Sequence, residues 1–283
     1  MLGPVEAWVG GQQIDLGPRK QRLALALLAL AVNQPVPVDK LVDLTWPHAP
    51  PRTARHAIQV RVSRLRAALA GADGESTQIL TRGSTYCLQI DPMCIDAFRF
   101  RVLVANARNE ADPEKVGLLH RALALWHGPA LADVLTPSVY ELCRGLEEAR
   151  LAAWEEWLDA EVRLGRHSAV VDQLVELAAQ HPDRQRLVAL LMLALYRDGR
   201  APEALRTYRL ARSRLADEFG LDPHMQLQEL EAAILRADPS LEQPPFLSVR
   251  GFGSEGRKER DGSWSPHART DTASRPSPAL SMS

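Results

Sequence analysis

Ile58, Val62, Leu65 and Leu69 recur at i, i+4, i+7 and i+11, inside a run from Arg52 to Leu69 that carries no acidic residue. At helical period these four form a narrow apolar stripe that has to face a core. The opposite face then carries His56, Gln59, Val60, Ser63 and Arg64, with Arg55 and Arg66 on one flank and Arg61 on the other. Arg52, Arg55, Arg61, Arg64 and Arg66 are cations uninterrupted by Asp or Glu. A helix divided in this way suits a DNA major groove, because guanidinium forks match phosphates and guanine edges and a Gln amide matches adenine. Taken alone, the same pattern also describes a solvated basic face on an ordinary surface helix. The flanking sequence has to decide between the two.

Residues 1–18 read as short strands: Val5, Ala7 and Val9 alternate, Gly10-Gly11 turns, and Ile14 and Leu16 alternate again. Arg19 to Val32 reads as a helix with Leu23, Leu27 and Leu30 inward. Its opening cations Arg19, Lys20 and Arg22 oppose the helix dipole, a cost that a nearby phosphate would relieve. Asn33-Gln34-Pro35 breaks the helix, and Val38 to Trp46 forms a second one, ended by Pro47, Pro50 and Pro51. The arginine helix follows. A loop from Gly71 to Ser76 then leads to a hairpin, with Gln78–Arg82 outbound, Gly83-Ser84-Thr85 as the turn and Tyr86–Ile90 returning. Strands, three helices and a closing hairpin predict a winged helix-turn-helix over residues 1–92. Its third helix would read the major groove, and Arg82 on the wing would reach a phosphate or the adjacent minor groove.

Charge distribution agrees. The whole chain has a formal net charge of −1. Up to Pro92, however, ten Lys and Arg face seven acids, so a basic module is joined to an acidic remainder. Cys87, Cys94 and Cys143 form no CxxC pair and no Cys/His metal spacing, and they read as reduced structural residues. No secretion signal opens the chain, and the most apolar run, Leu23 to Val32, is far too short to span a bilayer. The expectation is a cytoplasmic, nucleoid-associated protein with no membrane contact.

Beyond Pro92 the pattern becomes helical. Asp96 to Val104 is one helix. Asp112-Pro113-Glu114 opens another that stops before Gly128-Pro129. From Gly145 helices are almost continuous, and Leu164-Gly165-Arg166-His167 and Asp198-Gly199-Arg200-Ala201 lie 34 positions apart, each between amphipathic helices. That period, with Pro182 near a repeat end and Ala178 and Ala204 as small packing residues, predicts tetratricopeptide-like helix pairs over 93–238. Trp154, Trp157, Leu158, Leu190, Leu191 and Leu195 read as core, and Asp222-Pro223 as the cap of a last helix. After Asp238, Pro, Ser, Gly and Arg replace the periodic apolar residues, which predicts a disordered tail over 239–283.

These features resemble the actinobacterial antibiotic regulatory protein (SARP) family, which joins an OmpR/PhoB-type winged helix to a bacterial transcriptional activator domain (BTAD). The resemblance is carried by LGPVEAWVGGQQIDLGPRKQRLALALLALAVNQPVPVDKLVDLTW, PPRTARHAIQVRVSRLRAAL and TRGSTYCLQID in the first domain. In the second it is carried by RALALWHGPALAD, by the segment from LGRHSAVV to EFGLDP, and by LQELEAAIL. It implies a mainly α chain: an α+β winged helix-turn-helix, then an all-α tetratricopeptide-like helical-repeat domain. It further implies a DNA-binding activator of secondary-metabolite gene clusters. Such a protein binds promoter direct repeats as side-by-side protomers, a homodimer on double-stranded DNA, and contacts RNA polymerase. By position, Gln59, Arg61, Ser63, Arg64 and Arg66 fall in the family's recognition helix, with Arg52, Thr53, Arg55 and His56 at its entry and Arg82 on the wing. The first strand is shorter than the family's. No receiver domain and no GxxxxGKS/T loop occurs, so neither phosphorelay control in cis nor an ATPase extension is expected.

Enzymatic constellations are missing from the sequence. The eight histidines show no HExxH or paired spacing, and there is no GxSxG. Glu147, Glu148, Glu155 and Glu156 read as solvent-facing helix acids. No catalysis, cofactor or metal is expected. The competing class is a helical-repeat adaptor whose winged helix does not bind DNA.

Overall fold

The computed structural model describes residues 1–73, 77–242 and 281–282. In chain order these residues form β1 (Ala7–Val9), β2 (Gln12–Gln13), α1 (Arg19–Leu30), β3 (Val36–Pro37), α2 (Val38–Thr45), α3 (Ala54–Asp73), β4 (Gln78–Arg82) and β5 (Thr85–Gln89). They continue as α4 (Asp96–Ala107), α5 (Asp112–Leu123), α6 (Pro137–Arg163), α7 (His167–Gln180), α8 (Gln185–Arg197), α9 (Ala201–Phe219), α10 (Met225–Leu235) and β6 (Ser281–Met282). The chain divides into two compact units. One comprises Met1–Asn109, Gly117–Ala153 and the terminal strand; the other comprises Glu110–Val116 and the chain from Trp154.

In the first unit α1 packs on α2 and α3, and β3, β5 and β4 form an antiparallel sheet in that order. The stripe on α3 is buried as expected: Ile58, Val62, Leu65 and Leu69 are all at most 2% exposed. Each such side chain removed from water is worth roughly 2 kcal/mol, which fixes the rotation of the helix about its axis. Helix α1 departs from the amphipathic expectation. Leu23 through Ala29 are all buried, whereas Leu30 is only half-buried. The helix is nearly central, so it shows little periodicity.

The hairpin turn is shorter than predicted. Thr85 belongs to β5, opposite Arg82, and its hydroxyl donates to the Arg82 carbonyl at 2.8 Å. Gly83, at φ 57°, supplies the left-handed position that so tight a turn needs. The strand Val36–Pro37 lies directly after the predicted breaker and pairs with Tyr86 and Thr85. Two residues are too few to show alternation, and Pro37 argued against a strand.

The boundary expected at Pro92 is not where the compact unit ends. Asp96, at the start of α4, accepts from the Met1 amine at 2.6 Å and from the Leu2 amide at 2.7 Å, in a buried site. Asp133 accepts from the Val5 amide and from Arg22 Nε. The amino-terminal segment is thus tied to residues more than ninety positions further along the chain, beyond the winged helix. β6 pairs antiparallel with β1, Ala7 opposite Met282. The first four residues of the expected tail are ordered. Pro239–Glu242 form a 3-10 turn with Leu241 buried, and Arg197 Nε donates to the Leu241 carbonyl. Residues 243–280 lie outside the described residues.

In the second unit α7, α8 and α9 pack consecutively, and α10 packs on α8 and α9. The two glycine turns are conformational copies. Gly165 and Gly199 have φ of 77° and 75°, and the next amides, Arg166 and Arg200, return to the carbonyls of Glu161 and Leu195. This is the Schellman closure that ends a helix on a left-handed residue. Leu158, Leu190, Leu191 and Leu195 are buried, whereas Trp154 and Trp157 are half-buried and meet edge to face at 5.5 Å. His224, not Asp222, stands at the amino-terminal cap position of the last helix, without a side-chain cap bond, and its amide donates to Gln185 Oε1 at 2.7 Å. Glu155 is buried, and Glu147 accepts the Ala130 amide, so those two acids are structural and not solvent-facing.

Candidate nucleic-acid interface

Burial of the aliphatic stripe sends His56, Gln59, Ser63 and Arg64 outward, and all four are exposed on one face of α3. Arg52 and Thr53 precede the helix and are exposed. The Thr53 carbonyl accepts the Ala57 amide and so carries the first turn. Arg52 and Arg64 form no ion pair among the described residues. Arg82 is exposed at the end of β4, beside the hairpin turn.

The remaining predicted cations are held by intramolecular partners. Arg55 pairs with Asp39 of α2 at 2.7 Å, with both side chains about two-thirds exposed. A pair that open holds the guanidinium only weakly. Arg66 is committed to the wing: Nε donates to the Ile79 carbonyl at 2.7 Å and Nη2 to Thr81 Oγ1 at 2.6 Å. Its guanidinium also lies 5.9 Å from the Tyr86 ring centre. Arg61 is half-buried, donates to the Ala57 carbonyl at 2.8 Å and sits over Trp46 at 5.0 Å. Burial, and then the neighbouring Arg64 charge, lower its proton affinity.

Sequence reasoning missed the partner of Arg61. Lys20 Nζ lies 4.6 Å from the same Trp46 ring, so one indole carries two cations from two different helices. A ring quadrupole favours this arrangement and holds both charges beside α3. The available signal was a Trp at the end of a short helix between two Arg/Lys-rich helix starts. The phosphate expected at the start of α1 is not needed for Arg22 or Arg19. Arg22 is neutralised by Asp133 at 2.6 Å, and Arg19 donates to the Leu135 carbonyl. Lys20 alone of the three keeps an exposed charge next to the α3 face.

A buried aliphatic edge, an outward face of Arg, Gln, His and Ser, and a hairpin tipped by Arg82 define a winged-helix DNA-binding module. Residues 11–88 match the family model described as "Transcriptional regulatory protein, C terminal", and residues 95–235 match that of the bacterial transcriptional activator domain. Regulatory protein DnrI of Streptomyces peucetius is 34% identical over 86% of this chain and 93% of its own length. Transcriptional regulator RedD of Streptomyces coelicolor is 38% identical over 87% and 73%. Regulatory protein AfsR of Streptomyces griseus is 38% identical, but this chain spans only 25% of it. The structure of Mycobacterium tuberculosis EmbR, solved with a low-affinity phosphopeptide, superposes with a TM-score of 0.80 at 33% identity, covering 86% of this chain and 67% of EmbR. The class is a DNA-binding transcriptional regulator with a helical activator domain. The chain belongs to the SARP family.

Proposed function

We propose that the protein is a sequence-specific activator of a secondary-metabolite gene cluster, acting in the cytoplasm on promoter direct repeats and on RNA polymerase. The observation that carries this reading is the rotation of α3. Four fully packed aliphatics leave His56, Gln59, Ser63 and Arg64 no surface to face except solvent or a duplex. In this reading Gln59 and Ser63 meet base edges and Arg64 meets a phosphate beside them, with His56, Arg52 and Thr53 at the entrance. Arg55 exchanges its exposed Asp39 partner for a phosphate, and Arg82 reaches the backbone beyond the wing. Arg61 and Arg66 work indirectly, by fixing α3 against Trp46 and against the wing.

The test is a gel shift and footprint on DNA upstream of the protein's own gene cluster. Retardation at moderate salt that survives excess nonspecific DNA, with protection over two direct repeats, is the expected result. Binding seen only in nearly salt-free buffer would favour a helical-repeat adaptor whose winged helix is a scaffold.

A further inference from the structure

In the second unit a groove of about 260 Å³ runs between α7 and α9, with Leu191 and Leu195 of α8 in its floor. Val175 and Leu210 stand on its two walls and are 49% and 61% exposed, an uncommon position for large aliphatics. Arg206 and Arg214 flank Leu210 at one-turn intervals, and neither forms an ion pair among the described residues. Glu203, the only acid in the lining, is already held by Arg200 at 2.7 Å. The groove therefore offers an apolar floor beneath two exposed arginines that share one acid, Glu203, with Arg200, and it suits a segment that is acidic and apolar together.

The same unit presents such a segment at the end of α9, about one turn beyond Arg214. Asp217-Glu218-Phe219-Gly220-Leu221-Asp222 closes α9 and is exposed throughout. Phe219, Leu221 and the nearby Met225 are 53%, 58% and 73% exposed, with three carboxylates interleaved. Nothing among the described residues covers these apolar side chains. The chain after Gln243 is a poorer match, because its Lys and Arg outnumber its acids by six to four. A nucleic-acid backbone would satisfy the arginines but has nothing to place on Leu210 and Val175.

We propose that the groove of one protomer receives the 217–222 segment of a second copy. Groove and segment share no residue, so one copy's segment can fill the next copy's groove and the contact can repeat head-to-tail by the same step. That is the arrangement protomers need on direct repeats, whereas a two-fold interface would suit a palindrome. The proposal deepens the promoter-binding reading above, and its test separates the two. A six-residue segment makes a small interface, so the contact is weak in free solution and acts mainly when DNA holds two copies close together.

The experiment measures binding of the full chain to DNA carrying one repeat and to DNA carrying two, with sedimentation velocity of the free protein. The wild type should bind the second repeat roughly tenfold more tightly than the first. R206E/R214E and, separately, D217R/E218R should lose that cooperativity while binding a single repeat as the wild type does; all four residues are exposed, so folding is checked only by circular dichroism. Combining the four changes in one chain should restore cooperativity, an outcome that a merely structural role would not give. Unchanged cooperativity in both double variants overturns the proposal. So does a loss that the combined variant fails to repair, or one reproduced by deleting residues 243–283. Failure of the single repeat to bind at all would instead count against the promoter-binding reading.

Discussion

The guanidinium carbon of Arg61 lies 5.0 Å from the centre of the Trp46 ring, and Lys20 Nζ lies 4.6 Å from it. One aromatic residue at the end of α2 thus sets the position of charges from α1 and α3. Partly desolvated cation–π contacts are worth about 1–2 kcal/mol each. Trp46→Ala is expected to weaken operator binding by roughly tenfold, because Arg61 is freed and Lys20 loses its anchor. Trp46→Phe should recover part of the loss. Fluorescence anisotropy on labelled operator measures this, and equal affinity for Trp46→Ala and the wild type would remove Trp46 from the interface.

Arg64 and Arg66 are two positions apart on α3, yet they should fail in different ways. Arg66 ties α3 to the wing through Ile79 and Thr81. Losing those charged hydrogen bonds is expected to cost about 1–2 kcal/mol of stability. Arg64→Ala should leave the melting temperature unchanged, weaken operator binding and lower the slope of log affinity against log salt by about one contact. Thermal melts alongside a salt series check both variants, and a shared phenotype would contradict this division.

The stripe on α3 could be read from spacing because a helix buried on one side must repeat its apolar residues, and Ile58, Val62, Leu65 and Leu69 do. The glycine turns at 165 and 199 were legible for a similar reason: a Schellman closure requires a residue that tolerates positive φ, and glycine is the residue that does. The partners of the arginines could not be read. Whether a guanidinium meets Asp39, an indole or a backbone carbonyl depends on residues brought in by α2 and the wing, and no pattern within α3 encodes it. The ties between the amino-terminal segment and α4 could not be read on the same grounds. The link from Leu2 to Asp96 spans far more sequence than any periodic signal covers.

Asp112 is gripped by Arg163 through Nε at 2.7 Å and Nη2 at 2.8 Å, while Arg163 Nη1 also reaches Asp159. The Arg163 hydrogen bonds hold the Asp112 carboxyl below its ordinary value, against the upward pull of burial. A carboxylate depressed in the folded state stabilises above its unfolded value, near pH 4, and loses that contribution as pH falls through the lower folded one. Asp112→Asn is therefore expected to lose about 1 kcal/mol at neutral pH, the figure kept low because the site is partly solvated. The gap between the variant and the wild type should narrow below about pH 4. Urea titrations at neutral and acid pH provide the measurement, and a gap independent of pH would assign the loss to packing.

Asp96 should matter more for stability than any residue on the exposed face of α3. Its Oδ2 accepts from both the Met1 amine and the Leu2 amide, and the paired side chains are 1% and 5% exposed. Oδ1 accepts the Ala97 amide, so all three donors at this buried site depend on one carboxylate. Removing one member of a buried charged pair typically costs about 3–5 kcal/mol, because the other charge is left without a partner. Asp96→Ala is expected to lower the melting midpoint by about 10 °C or more. In material kept cold enough to stay folded, its operator affinity should match the wild type, since the hydrogen bonds of Asp96 run to Met1, Leu2 and Ala97 and not to α3. Differential scanning calorimetry and low-temperature gel shifts decide the matter together. A midpoint within a degree or two of the wild type would mean that the amino-terminal segment is not what joins the winged helix to α4.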